Sequence, residues 1–324
     1  MHSVNVWLSR YAKLIVATTF CLIFLGGMVT SLDAGLSVPD WPTSFGYNMF
    51  TFPISRWKGL VFWEHTHRLV ASVLGMLIIA LTIWVFKADR RSSVRKLSVA
   101  ALILVIIQGL MGGFRVTEIS TTLAIIHGVT AQAFFCLLIL LAATLSPAWS
   151  KPLEGSSTQA RVFGWRRWGW VLVISLFIQL ILGAMMRHWH AGLAIPTFPL
   201  TPQGTFFPVA HDKMVDIHFS HRFWAIIVTV IAAVTCVKAL RSSGGEERIQ
   251  LPAVAILFLI LVQILLGASV IWLGRAPIPT SLHVVNGALI LGFSFYLAVQ
   301  SLRLGTLREE ATCHCADHEE SPTA

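Results

Sequence analysis

The chain has 324 residues, of which 56% are hydrophobic and only 12% are charged. A soluble domain carries roughly a quarter charged residues, so this composition excludes an ordinary soluble fold and predicts a protein that lies in a lipid bilayer. The formal net charge of +9 does not indicate nucleic-acid binding, because the basic residues form short clusters between apolar segments, as they do in membrane proteins.

Eight apolar segments are predicted to cross the membrane as helices. About 20 apolar residues span a bilayer, and helices are expected because an open sheet leaves backbone groups unpaired in lipid. Most lysine and arginine clusters fall on one side, so we expect both termini in the cytoplasm of a multi-pass protein of the inner (cytoplasmic) membrane. The segments are Leu14–Leu32, Leu60–Phe86, Leu97–Val116, Thr122–Leu145, Trp168–Met186, Ile217–Leu240, Leu251–Leu273 and Ser281–Leu302.

The first four segments and the last four share motifs at an offset of about 155 residues. Residues 34–42 read Ala-Gly-Leu-Ser-Val-Pro-Asp-Trp-Pro, and residues 191–199 read Ala-Gly-Leu-Ala-Ile-Pro-Thr-Phe-Pro. Because each set has an even number of helices, the two copies insert the same way. The sequence therefore predicts an all-α integral membrane fold of eight transmembrane helices in two parallel-repeat four-helix bundles.

The predicted boundaries follow from this repeat. A cytoplasmic linker joins the two four-helix halves, and a cytoplasmic tail, expected to be disordered, follows the second half. The tail contains Cys313-His314-Cys315, whose spacing fits no standard zinc site. In order, the parts are residues 1–150, 151–167, 168–303 and 304–324.

Four histidines occupy matched places in the repeat: His67, His127, His221 and His283. Each lies one to two turns inside the same end of its segment, so all four are expected at similar depth. Two imidazoles from facing helices of a four-helix bundle can hold a haem iron. The alternative is that each is an interfacial histidine that donates one hydrogen bond, although ionisable groups at membrane depth are commonly functional.

Glu64 precedes His67 by three residues, which places both on one helix face. One interpretation is a proton relay beside an iron; the other is an ion pair with Arg68. The residue that matches Glu64 in the second half is His218, whereas the arginine is kept as Arg222. This difference favours chemistry in the first half and an accessory haem in the second.

Other polar and small residues have structural interpretations. Arg68 and Arg222 can pair with haem propionates or extend to the lipid headgroups. Gln108 and Gln263 are predicted to form hydrogen bonds between helices. Close packing between helices is expected at Gly26, Gly27, Gly112, Gly113, Gly183 and Gly267. Solvated histidines are expected at His65, His188, His190 and His211.

With these residues in view, the chain resembles the haem A synthase family, over roughly Leu14 to Leu302. The resemblance is carried by the loop motif of residues 34–42, the block Glu64-His65-Thr66-His67-Arg68, the block over residues 108–113, and the remaining three matched histidines. It implies oxidation of the C8 methyl group of haem O to a formyl group. It also implies that Glu64, His67 and His127 form the catalytic site for the substrate haem, and that His221 and His283 bind haem b.

The resemblance also implies binding partners, and the chain departs from the family in one feature. The partners are haem O as substrate, the lipid bilayer and an electron donor that the sequence does not identify, with haem O synthase as a further candidate. Some family members place a cysteine pair in each long loop, whereas this chain has Ser37 and Ser44 in the first loop and no cysteine in either. A competing interpretation is a non-enzymatic bis-histidine dihaem cytochrome, which has no use for Glu64. A transporter lacks support, because no segment shows a midplane break.

Overall fold

The computed structural model describes residues 5–149, 151 and 158–319, and side chains are described as far as Leu302 except over residues 152–164. The described part contains eight long α-helices, each long and apolar enough to cross a membrane. The all-α fold of eight helices is therefore confirmed, and the protein is a multi-pass membrane protein. The helices are α1 Val6–Ser31, α2 Gly59–Ala88, α3 Ser92–Thr117, α4 Thr121–Thr144, α5 Thr158–His188, α6 Lys213–Ser242, α7 Glu247–Trp272 and α8 Pro277–Glu319.

Most helices extend beyond the apolar segments, and polar side chains cap the starts of several of them. Asn5 Oδ1 accepts hydrogen bonds from the first amides of α1, and Asp212 Oδ1 does the same for α6. The backbone of α5 is helical from Thr158, inside the predicted linker, and that of α8 is helical to Glu319, inside the predicted disordered tail. The side chains of Cys313-His314-Cys315 lie outside the described residues.

Each set of four helices packs into a ring. Helix α1 contacts α2 and α4, and α3 contacts the same two helices; in the second set α5 and α7 each contact α6 and α8. The two rings meet where α1 and α4 pack against α5 and α8. These contacts fit the predicted pair of four-helix bundles, and the parallel repeat itself stays a prediction.

Two long loops, over residues 32–58 and 189–212, define one side of the molecule, called the loop side below. The large buried apolar clusters lie toward the opposite side in both halves, and Leu8, Ile15, Leu81 and Leu141 are members in the first half. The corresponding cluster of the second half includes Trp165. The matched histidines lie nearer the loop side, above these apolar cores.

Candidate functional site

Each of the four matched histidines packs against a glycine on a neighbouring helix. A Cβ atom built at Gly26 lies 3.1 Å from Cε1 of His67, and one at Gly112 lies 3.4 Å from Cε1 of His127. The same arrangement recurs in the second half, where the distances are 3.1 Å for Gly183 with His221 and 3.2 Å for Gly267 with His283. The predicted close packing between helices is confirmed at five of the six glycines, at four of which the neighbour is an imidazole ring; at Gly113 the neighbour is Trp41 of the first loop.

The imidazoles of His221 and His283 face one another, with ring centroids 6.4 Å apart. Two imidazoles that share one metal ion through nitrogen bonds of about 2 Å have ring centres roughly 6 Å apart. The spacing of this pair therefore suits bis-histidine ligation of one iron.

Glutamine amides hold both imidazoles of the second half. Gln179 Nε2 lies 3.2 Å from Nδ1 of His221 and donates to its backbone carbonyl. Gln263 Nε2 lies 3.2 Å from Nε2 of His283 and also donates to its carbonyl. Asn286 Nδ2 donates to Gln263 Oε1 at 2.7 Å, which turns the amide NH₂ group toward the imidazole.

In the first half, glutamine side chains do not hold the imidazoles. Gln108 Nε2 donates to Thr130 Oγ1 at 2.7 Å, because that hydroxyl donates to the carbonyl of Ile126 and is free to accept. The amide is thus turned away from His127, and the repeat counterpart of Gln179 is Leu22. The predicted hydrogen bonds between helices at Gln108 and Gln263 are confirmed, but they differ in what they hold.

Glu64 and Arg68 fasten the first long loop to α2. The Glu64 carboxylate is 2% exposed; its Oε1 pairs with Arg68 Nη2 at 2.8 Å, and its Oε2 accepts from the amide of Val38 at 2.8 Å. Arg68 also donates to the carbonyl groups of Val38, Asp40 and Thr43. The ion pair that the sequence left open is formed, and it is part of a clamp on the loop.

The second half repeats this clamp with His218 in place of the carboxylate. Arg222 Nε donates to His218 Nε2 at 3.0 Å, and Arg222 Nη2 donates to the carbonyl groups of Ile195 and Thr197. The amide of Ile195 lies 3.2 Å from Nδ1 of His218. Both arginines thus donate to loop carbonyl groups, a role that neither of the two sequence interpretations anticipated.

Asp40 shapes the turn that follows in the first loop. Its carboxylate accepts hydrogen bonds from the amides of Phe45 (2.7 Å) and Gly46 (2.8 Å) and from the Thr43 hydroxyl. Burial by itself raises the pKa of Asp40, but these hydrogen bonds outweigh it and hold the pKa below its ordinary value. Next to it, Trp41 covers Gly113 of α3, where any Cβ would clash with the indole ring.

The prediction of a solvated His65 is wrong. His65 is 0% exposed, lies between the rings of Phe52 (4.9 Å) and Trp57 (4.7 Å), and shares a hydrogen bond with Ser44 Oγ. It is buried because the aromatic loop folds back over the start of α2. Its repeat counterpart is Phe219, an apolar residue that already indicated a buried position.

The other three surface histidines differ among themselves. His190 and His211 are exposed, as predicted, and His211 pairs with Asp216 at 2.8 Å. His188 is half-buried at the end of α5. Sequence reasoning also missed Gln179 and three loop-side arginines, Arg115, Arg187 and Arg275, whose positions are not matched by arginine in the other half.

The residues present fit a haem in the second half, and the first half offers the same pair of donors. Nδ1 of His67, His127 and His283 is buried without a hydrogen bond of normal geometry, which does not suit histidines that serve as interfacial donors. Each ring lies over a glycine that leaves room for it. Neutral imidazole pairs are established haem ligands, so the donor set matches the chemistry that the sequence predicted.

Comparisons with known proteins show the family of the chain. The family model described as "Cytochrome oxidase assembly protein" matches residues 9–295. Among curated proteins, the chain is 26% identical to a heme A synthase of Geobacillus kaustophilus, covering 93% of this chain and 94% of that one. It is 26% identical to that of Geobacillus thermodenitrificans (95% and 96% covered) and 25% identical to that of Beijerinckia indica (90% and 91% covered). The chain therefore belongs to the COX15-CtaA family of cytochrome oxidase assembly proteins.

Proposed function

We propose that the chain is a haem A synthase, which oxidises the C8 methyl group of haem O to a formyl group and so supplies haem A to a terminal cytochrome oxidase. The observation that carries this proposal is the asymmetry of the two histidine sites. Both halves carry a histidine pair and an arginine clamp, but among the described side chains only the first half adds a buried carboxylate, Glu64. The chain also matches relatives named heme A synthase over nearly their whole length, which supports the proposal.

In this proposal the first half binds the substrate. His67 and His127 hold haem O, and Glu64, one helical turn from His67, holds or releases a proton beside it. When bound, a haem iron supplies the oxygen and electron chemistry that side chains lack. The buried position of Glu64 under the first loop keeps bulk water from this proton.

The second half holds an accessory haem b. His221 and His283 are its ligands, and Gln179 and Gln263 donate to the backbone carbonyl groups of these two histidines. Arg68 and Arg222 serve the two haem sites by holding the loops that cover them. The remaining partners are the lipid bilayer and an electron donor, and haem O synthase is a candidate because that class of enzyme produces the substrate.

We also place both termini in the cytoplasm and the protein in the inner membrane, from the distribution of lysine and arginine. Reporter fusions after Arg308 and within residues 92–96 are expected to report a cytoplasmic position. Fusions within residues 42–55 and 201–210 are expected to report an external one, and a single reversed loop contradicts the orientation.

The function is tested by expressing the chain in cells that make haem O but no haem A, and by analysing extracted haems by chromatography. The wild type should yield haem A. Glu64→Gln should keep haem b and bind haem O but complete the formyl group about 10²–10⁴ times more slowly. Glu118→Gln, which changes an exposed acid on the loop side, is the matched control and should have no effect.

Two outcomes of this assay count against the proposal. Normal haem A production by Glu64→Gln rules out the catalytic role of Glu64. A wild type that carries both haems but makes no haem A favours the non-enzymatic dihaem cytochrome.

A further inference from the structure

Three half-buried arginines on the loop side, outside the two clamps, have no carboxylate partner in the described part of the chain. Arg115 lies near the end of α3, Arg187 near the end of α5, and Arg275 in the turn between α7 and α8. All three are half-buried, and none forms an ion pair with a described acidic residue. A partly buried guanidinium group at the end of a membrane helix is costly without an anion. These arginines therefore mark places where an anionic ligand is expected.

Arg187 is the most closely surrounded of the three. Its Nη2 donates to the carbonyl group of Gly27 and to Oγ of Ser31 at 2.7 Å, both on α1. Its Nε is buried and has no hydrogen-bond partner. Asp33 lies within electrostatic range, but it is exposed and does not form an ion pair with Arg187. The guanidinium group thus has an unused donor at a buried position.

The position of Arg187 relates it to the second histidine pair. Gly183, which packs against His221, precedes Arg187 by four residues. Residues four apart lie on one helix face, about 6 Å along the axis. Arg187 is also within electrostatic range of His283. It therefore lies one turn toward the loop side from the two imidazoles.

A second cation stands beside it. Arg275 is within electrostatic range of Arg187, and its Cδ lies 3.4 Å from a Cβ built at Gly192 in the second loop. Two neighbouring guanidinium groups repel each other unless a ligand with negative charge lies between them. The two propionate groups on one edge of a haem are such a ligand, and guanidinium groups match carboxylates in geometry.

We propose that Arg187, with Arg275 beside it, binds the propionate carboxylates of the haem held by His221 and His283. The inference rests on the proposed haem site of the second half and adds its anion-binding residues. It also differs from the sequence interpretation of Arg222, whose Nε and Nη2 donate to His218 and to carbonyl groups of the second loop.

The test is a titration of full-length protein in detergent, freed of haem, with either iron protoporphyrin IX or its dimethyl ester. The His67→Ala background removes a ligand of the first site, so that the low-spin absorption band reports the second site. Arg187→Gln and Arg187→Lys are compared with Arg56→Gln, a control that removes an exposed arginine of the first loop.

Arg187→Gln should weaken binding of the free diacid about tenfold or more, the usual effect of losing a hydrogen bond to a charged group. Binding of the dimethyl ester should change less than about twofold, because the ester has no carboxylate. Arg187→Lys should show a smaller loss for the diacid only, and it replaces the glutamine variant in the comparison if the latter does not fold. Arg56→Gln should have no effect.

Equal weakening for diacid and ester, or no weakening for either, overturns the role of Arg187. A distinct result, in which the His67→Ala protein with Arg187 intact binds neither porphyrin, overturns the second haem site itself and with it part of the proposed function.

Discussion

In each half of this protein, an arginine clamp holds a long loop to a helix. The two clamps differ in the residue that accepts a hydrogen bond from the arginine. In the first half a carboxylate, Glu64, accepts from both Arg68 and the amide of Val38. In the second half His218 occupies this position and faces Arg222 and the amide of Ile195. A carboxylate accepts both hydrogen bonds, whereas a neutral imidazole has only one acceptor nitrogen. Since His218 still meets the arginine, holding the loop does not require an acid.

This comparison bears on the role of Glu64. If an imidazole that accepts only one of these hydrogen bonds still holds the loop, the carboxylate of the first half is not required for the clamp alone, and proton transfer at the adjacent histidine pair is the further use that we propose for it. The comparison also shows a second asymmetry, because Gln179 and Gln263 donate to the backbone carbonyl groups of the second histidine pair, whereas Gln108 donates to Thr130. A pair anchored by side-chain amides suits a permanent haem, and a pair without these anchors suits a substrate that must leave.

The largest expected effect comes from removing a ligand of the second half. His221→Ala or His283→Ala should abolish the stable low-spin b-type spectrum of the purified protein, because one imidazole alone does not complete bis-histidine ligation. His67→Ala should leave most of that spectrum. An intact spectrum in His221→Ala protein would show that the second pair does not hold the haem.

Filling the space beside an imidazole should have nearly as large an effect. Gly183→Val places a branched side chain where even a Cβ lies 3.1 Å from the His221 ring, so the imidazole must move and most low-spin haem should be lost. Gly109→Val is the matched control, because nothing lies within 4 Å of a Cβ at that position. Haem content per protein, measured by absorption, separates the two variants. Similar haem content in both would contradict the packing argument.

Making the second half resemble the first should have an intermediate effect. Gln179→Leu introduces the residue found at the matching place, Leu22, and removes the amide that donates to the backbone carbonyl group of His221. The loss of about one hydrogen bond should weaken haem retention several-fold without abolishing it. Gln250→Leu, which removes an amide bonded to Ser243 far from the site, should leave retention unchanged. If both variants retain haem equally, the proposed difference between a pair anchored by side-chain amides and a pair without these anchors is wrong.

The smallest expected effect is a pH dependence of hydrogen exchange that is present in the first loop and absent from the second. Because the fold holds the pKa of Asp40 below its ordinary value of 3.8, its stabilisation of the turn is complete above that value and is lost as the pH falls through the lower folded pKa. The matching residue of the second loop, Thr197, carries no charge. Hydrogen exchange of residues 38–47, corrected for intrinsic rates, should accelerate below about pH 4, and that of residues 195–204 should not. Equal acceleration in both loops contradicts the role of Asp40.

Much of the fold and part of the site could be predicted from the sequence. Eight apolar segments determine the helices, because lipid leaves few alternatives, and an internal repeat with histidines at matched places marks the sites. The roles of Arg68 and Arg222 could not be predicted, since their partners are backbone carbonyl groups of loops whose path the sequence does not reveal. Gln179 was within reach, because it precedes Gly183 with the same spacing that separates Gln108 from Gly112.

His65 is another residue whose environment could not be predicted from the sequence. At the start of an apolar segment, a histidine is normally expected to face water, and only the folded loop reveals the aromatic rings of Phe52 and Trp57 that cover it. The differing orientation of the two glutamine amides depends on Thr130 and Asn286. The orientation of each amide depends on whether the neighbouring side chain donates or accepts a hydrogen bond. Its prediction therefore requires the contacts between helices.

The most direct test of the central claim is to give the first half the residue of the second, with Glu64→His. Because His218 already accepts from Arg222 in the second half, this variant should fold, keep the first loop in place and retain the accessory haem b spectrum. It should nevertheless lose haem A production from supplied haem O by about 10²–10⁴ in rate, since the imidazole clamp offers no carboxylate beside His67. Haem A production at the wild-type rate by Glu64→His protein would contradict the account and leave Glu64 with only a structural role.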